Sequence, residues 1–144
     1  MTFFNIKRAF KTARERNWDK IFVFIDLHDT NCPASYKKGE NHSDFYPMAK
    51  ESLQHMSQRK DVCIVLWTCS YEHELVGTLE WLKTNGIKIE HINVNPEVEN
   101  TSMGDFTHKQ YMNIILDDKS GFEGDVDWPK VLKLFKSEAE LEVR

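Results

Sequence analysis

The sequence predicts an α/β fold, a parallel sheet between helical layers in a three-layer α/β/α sandwich. Two observations carry that expectation. The first is the stretch IFVFID at residues 21–26, where five β-branched, aromatic and aliphatic residues run unbroken and stop at Asp26. Such a run lacks polar alternation and is too short for a lone helix, so it reads as a strand covered on both faces. The second is the alternation of such strands with amphipathic helical stretches along the chain, which gives a parallel sheet joined by right-handed crossovers.

The elements follow in order. Residues 2–17 carry an apolar stripe (Phe3, Ile6, Phe10, Ala13, with Trp18 beyond) and read as a helix packed on the body. The first strand spans residues 20–26. Residues 27–46 are polar, hold Pro33 and Gly39 and have no periodicity, a long connection of the kind that often carries function. Pro47 suits the first turn of a helix with Ala49, Leu53 and Met56 inward. VCIVLW at 62–67 is a second buried strand, ending in Thr68, Cys69 and Ser70. Residues 72–85 form a helix with Leu75, Leu79 and Leu82 inward, stopped at Asn85-Gly86. Residues 87–94 alternate and read as a strand nearer an edge. A loop at 95–105 and a short helical turn at 106–111 precede NIILD, a strand at 113–117 that ends in Asp117-Asp118. A final helix after Pro129 turns Val131, Leu132 and Phe135 inward, and a polar, frayed tail closes the chain.

A chain of 144 residues fits one domain, 1–144, with a helix at 1–19 ahead of a core at 20–136 and a tail at 137–144. The composition, 40% hydrophobic and 29% charged, is that of a soluble globular protein. No apolar run reaches the roughly 18 residues of a membrane span, and the first residues lack a signal-peptide core. Cys32, Cys63 and Cys69 are odd in number with no C-x-x-C pair, which argues against disulfides and a zinc knuckle and fits a reducing cytoplasm. The net charge of −4 disfavours a general nucleic-acid binder. Residues 1–20 hold six Lys/Arg against two acids, a net of +4; the rest hold 13 against 21, a net of −8. That reads as a helix with a solvated basic face. His42, His55, His73, His91 and His108 show no metal-ligand spacing and read as surface groups, and Trp67, Trp81 and Trp128 as core.

Chemistry gathers at the strand ends. In a parallel sheet the carboxyl ends share one edge, and open α/β sheets bind ligands there. That edge receives Asp26, His28 and Asp29 from the first strand, Thr68 from the second, and Asp117 and Asp118 from the last, with Lys109 eight residues before Asp117. Carboxylates from two strands that would otherwise repel can share an oxygen-loving cation such as Mg²⁺, with a hydroxyl and a lysine left for phosphate oxygens.

DLHDT, then LWT, a lysine and IILDD resemble, in order, the four motifs of haloacid dehalogenase-type phosphohydrolases. LWTCSYEHELVGTLEWLKTNGI and LDDKSGFEGDVDW are similar to a small capless branch of that superfamily found in bacteria and phages. The resemblance covers residues 20–136. It implies a Rossmann-like sheet and a Mg²⁺-dependent phosphomonoesterase. Asp26 would be the nucleophile that forms an aspartyl-phosphate, Thr68 the phosphate-binding hydroxyl, and Lys109 the phosphate-binding lysine. Asp26, the carbonyl of His28, Asp117 and Asp118 would be the metal ligands. Cys69, Lys37 and Lys38 are expected near the substrate, the two lysines from the 27–46 loop. His28 stands where the family usually carries the acid/base Asp, and histidine can move protons near neutral pH. The alternative expectation is a weak or inactive member that binds a phosphate-bearing partner. The absence of a large insertion implies an open site, suited to a large substrate such as a nucleic-acid end or a phosphoprotein, or to a phosphorylated small molecule held by a partner subunit.

Overall fold

The computed structural model describes residues 5–33 and 44–142. Four strands, β1 (Ile21–Asp26), β2 (Val62–Trp67), β3 (His91–Ile92) and β4 (Ile114–Leu116), form one parallel sheet in the order β3-β2-β1-β4. Helices α1 (Ile6–Glu15), α2 (Ala49–Gln58), α3 (Glu72–Thr84) and α4 (Trp128–Ser137) complete the α/β architecture that the alternation predicts. Among the described residues, no helix is long and apolar enough to cross a membrane.

The strand pleat divides the core. Ile21, Val23 and Ile25 of β1, Val62, Ile64 and Leu66 of β2, and Ile114 and Leu116 of β4 point to one face. There they meet Ile6, Phe10 and Ala13 of α1, Leu53 and Met56 of α2, Leu82 of α3 and Trp128, Val131 and Phe135 of α4. Phe22, Phe24, Cys63 and Val65 point to the other face, against Trp67, Val98, Tyr111, Met112 and Ile115. That face is covered by the connection between β3 and β4. The strand order reverses direction there, and with right-handed crossovers a reversal carries the chain to the opposite face.

This connection differs from the sequence expectation. Residues 106–111 form bends instead of a helical turn, because side chains take over the backbone partners. Asp105 and Asn100 carboxyl and amide oxygens accept from the N–H groups of Thr107 (3.0 Å) and Phe106 (2.6 Å), local bonds that compete with helix. Tyr111 packs edge-to-face on Phe106, Phe22 and Trp18. The 87–94 stretch is also shorter as a strand than its alternation implies: only His91–Ile92 pair with β2, and Asn93 turns the chain with φ 59°. Gly86 ends α3 at φ 74°, a left-handed stop at no Cβ cost.

As far as residue 141 the tail is tied down rather than frayed. Arg59 donates from Nε and Nη2 to both carboxylate oxygens of Asp61 at 2.8 Å, and from Nη1 to the carbonyls of Phe135 and Glu138. Asp61 also accepts from the N–H of buried Leu141 at 3.0 Å. Arg14 adds an ion pair to Glu138 at 2.8 Å. The Arg59 and Asp61 side chains are 10% and 1% exposed, so removing one partner strands the other in low dielectric. Asp61→Ala should therefore lower unfolding free energy by about 3 kcal/mol in denaturant melts. A loss below about 1 kcal/mol would show that solvent replaces the pair.

Candidate functional site

Register builds the site. Asp26 pairs with Trp67 across β1 and β2, and Ile25 with Leu116 across β1 and β4. The residues that follow at the carboxyl edge are therefore neighbours: Asp26, Thr68 just past β2, and Asp117 just past β4. They line a cleft of about 640 Å³ with His28, Asp29, Trp67, Cys69, Asn93, Asp118 and Lys119.

Asp26, Asp117 and Asp118 each bring a carboxylate oxygen within 4.8 Å of the others. Asp117 caps a 3-10 turn, Asp118–Ser120, its Oδ1 accepting from the Lys119 N–H at 2.8 Å, and that turn swings Asp118 back toward Asp26. Gathering these charges has a visible effect. Burial, then the charge of Asp117 and contact with Asp118, push Asp26 up to about 7. Burial also raises Asp117, against the bond from the Lys119 N–H. For Asp118 burial acts upward too, but hydrogen bonds shared with Asp26 and Asp117 outweigh it and leave it low. A cation bound among the three acids would relieve this burial and repulsion.

A buried loop holds the cluster in place. Thr30 is fully buried; its Oγ1 donates to Asp26 Oδ2 (3.1 Å) and accepts from the Asp118 N–H (3.1 Å). Its carbonyl accepts from the indole N–H of buried Trp128 at 2.7 Å. Asn31 donates to the Asp26 carbonyl at 2.8 Å. Gly124 closes over this loop: a Cβ there would sit 2.5 Å from the Thr30 carbonyl oxygen, so only glycine admits the approach. Across the cleft, Asn93 pairs with the Thr68 backbone twice at 2.8 Å, amide oxygen to N–H and amide N–H to carbonyl. The Thr68 hydroxyl faces Ser70 Oγ at 2.9 Å and accepts from the Ser70 N–H at 3.2 Å.

The structure brings together Asp26, His28, Thr68, Cys69, Asp117 and Asp118. It does not bring Lys109, which is exposed in the bent connection that the Phe106 and Tyr111 ring contacts hold over the opposite face. The lysine that lines the cleft is Lys119, its Nζ 3.6 Å from Asp118 Oδ2. Lys37 and Lys38 lie outside the described residues. Past Asp26 the chain turns at Asp29, which has φ 63° and whose N–H donates to the Cys32 carbonyl at 2.7 Å, and both His28 and Asp29 line the cleft. Thr30, Asn93 and Gly124 escape a sequence reading because each acts through a backbone partner far along the chain. The one local sign is Asn93, an asparagine where a strand ends, suited to positive φ.

No family model matches the chain, and no curated protein matches it. Among solved structures it is similar to a conserved protein from Bacteroides thetaiotaomicron, with a TM-score of 0.63, 21% identity, and coverage of 83% of this chain and 93% of that one. At that identity the likeness establishes the α/β fold alone.

The raised Asp26 has a consequence for stability. Its folded pKa of about 7 lies above the ordinary 3.8, so the folded state holds a proton that the unfolded chain has already released. Without divalent cations, stability should fall as pH rises from about 4 to about 7. Asp26→Asn should flatten that slope and raise stability near pH 7.5 by on the order of 2 kcal/mol, read from urea melts in EDTA. An Asn variant less stable than wild type at that pH would contradict the mutual repulsion described above.

Proposed function

We propose that this chain is a Mg²⁺-dependent phosphohydrolase that cleaves phosphomonoesters through an aspartyl-phosphate on Asp26. The observation that carries the reading is the convergence of Asp26, Asp117 and Asp118 opposite Thr68, in a cleft at the point where the strand order reverses. The donors are all hard oxygens, the chemistry Mg²⁺ prefers, so these residues fit that ion. Asp26, Asp117 and Asp118 would hold it, with the His28 carbonyl as the resemblance to haloacid dehalogenase-type enzymes implies. Bound there, it would supply neutralisation of phosphoryl-oxygen charge.

The chain's own groups divide the remaining work. The Asp26 carboxylate attacks phosphorus, and the ester oxygen departs with the bonding electrons. His28, beside it at the cleft, gives that oxygen a proton and later takes one from the water that attacks the aspartyl-phosphate, which regenerates Asp26. The Thr68 hydroxyl turns from Ser70 to donate to a phosphoryl oxygen. Lys119 offers the positive charge that the family motif would assign to Lys109. An open cleft suits a nucleotide or a nucleic-acid end. Two observations favour a second reading, a binding protein for phosphate-bearing partners: histidine at position 28, and Lys109 away from the cleft.

Turnover of an aryl phosphate with and without Mg²⁺ separates the two. The phosphohydrolase should require Mg²⁺ and lose about 1,000-fold or more in Asp26→Asn. His28→Ala should slow alkyl phosphates, whose leaving groups need a proton, by about 100-fold or more. A wild type that hydrolyses no ester yet binds inorganic phosphate with Mg²⁺ in calorimetry would overturn the enzyme reading in favour of the binding one.

A further inference from the structure

A second cluster of metal-ligating side chains lies away from the cleft. Cys63 Sγ, a carboxylate oxygen each of Glu90 and Glu97, and a ring nitrogen of His91 all fall within 4.8 Å of one another. Cys63 is four residues before Trp67 on β2, so this point is about 13 Å along the strand from the Asp26 edge. The register Val65↔His91 sets His91 on the face of Cys63. Glu90 joins from just before β3, and Glu97 folds back from the connection beyond it. Glu97 is held in place: its N–H donates to Asn95 Oδ1 at 3.1 Å, and buried Asn95 is fixed by Gln110 and the Tyr111 carbonyl. The sequence spacing hides the group, and His91, expected as a free surface histidine, is instead paired.

The Glu97 carboxylate is divided among three partners. Oε1 accepts from Lys20 Nζ at 2.8 Å, while Oε2 lies 2.6 Å from His91 Nε2 and 3.3 Å from Cys63 Sγ. Lys20 orients the carboxylate from behind, as outer partners orient ligands at metal sites. Cys63 is fully buried, while His91 and Glu97 side chains are 26% and 29% exposed, so an ion has a path in. The Cys63 thiol donates to Glu97 Oε2, and Glu90 brings a second carboxylate oxygen within 4.8 Å of the sulfur. A dication that displaced the proton would meet a thiolate, two carboxylates and the Lys20 ammonium, and its own charge would bring the group to zero.

We propose that Cys63, Glu90, His91 and Glu97 form a binding site for Zn²⁺ or a similar borderline transition-metal ion, separate from the carboxylate cleft. One sulfur, one imidazole nitrogen and two carboxylate oxygens make a four-coordinate zinc donor set, and thiolate excludes Mg²⁺. The Cys63–Glu97 separation already matches the spacing of ligands around a tetrahedral ion at about 2.0–2.3 Å from each donor. The His91–Glu97 contact must open, as their hydrogen bond is exchanged for two metal bonds. On binding, the thiol proton leaves to solvent, and Nε2 gives up the proton it donates to Glu97, which leaves the ring proton on Nδ1 and the Nε2 lone pair for the metal.

The probe is Co²⁺, titrated into metal-free protein at about pH 8 and followed by absorption. One equivalent should produce tetrahedral d–d bands with a thiolate-to-cobalt charge-transfer band, and Zn²⁺ should bleach both. The signal should vanish in Cys63→Ser and in His91→Gln, the second a partly exposed position whose fold is checked by circular dichroism. It should persist in Cys69→Ala and in Asp118→Asn. Lys20→Gln should weaken Co²⁺ binding by about 10-fold or more. No charge-transfer band in the wild type, or one that survives Cys63→Ser and disappears in Cys69→Ala, would overturn the assignment.

Discussion

Repulsion among three carboxylates is the constraint around which the carboxyl edge is built. β1 and β4 are adjacent and parallel, so residues that follow their last paired positions must lie side by side. The chain ends both strands in aspartate and then turns Asp118 back toward the same point. Left alone, such a turn would relax away from the charge. It is held by the Asp118 N–H on Thr30 Oγ1, and Thr30 is held by Trp128 beneath it. The core thus opposes the repulsion: Trp128 belongs to the main apolar cluster, and its one polar atom anchors the loop that carries the acids. Moving Thr30 would unsettle a buried indole N–H, at a cost of about 1–3 kcal/mol for an unsatisfied donor.

The same logic explains which parts could be read from the sequence. β2 is legible to the residue and β1 to within one residue, because each is an uninterrupted apolar run in a chain this short. α2 and α4 are legible from Leu53, Met56, Val131 and Phe135 at helical spacing. The acids at positions 26, 117 and 118 are legible because parallel register converts strand ends into neighbours without any knowledge of side-chain contacts. What fails depends on long-range partners. Residues 106–111 carry no strong local preference, and the aromatic contacts of Phe106 and Tyr111 decide their path, which takes Lys109 from the cleft. The tail looks polar, yet Leu141 is buried and its N–H meets Asp61, 80 residues away. The loop after Asp26 departs from extended geometry at Asp29, a single left-handed residue that a sequence pattern does not specify.

Covering the second sheet face with an irregular connection rather than a helix has a chemical outcome. A helix there would spend its polar groups on itself. The bent chain instead leaves side-chain amides to do that work, and Asn95, Asn100 and Gln110 satisfy backbone groups along it. Because Asn95 and Gln110 tie the two ends of this connection together, Glu97 is set at a defined height over β2. It can therefore meet Cys63, a residue on a central strand that a regular helix would cover with apolar side chains.

Two acidic clusters thus stand at different heights on the same strands, and their donors differ in kind. The carboxyl-edge group offers oxygen alone, in an open cleft where phosphate oxygens and water can complete a hard ion's shell. The β2–β3 group includes a buried thiol and an imidazole, and its second carboxylate oxygen is already committed to Lys20. A hard ion gains nothing from sulfur, and a thiophilic ion finds no sulfur ligand in the carboxylate triad; only Cys69, exposed at the cleft's rim, lies near it. Selectivity between the two places then needs no difference in overall charge. It follows from donor softness, set by one β2 residue facing the bent connection and by the aspartates that end β1 and β4.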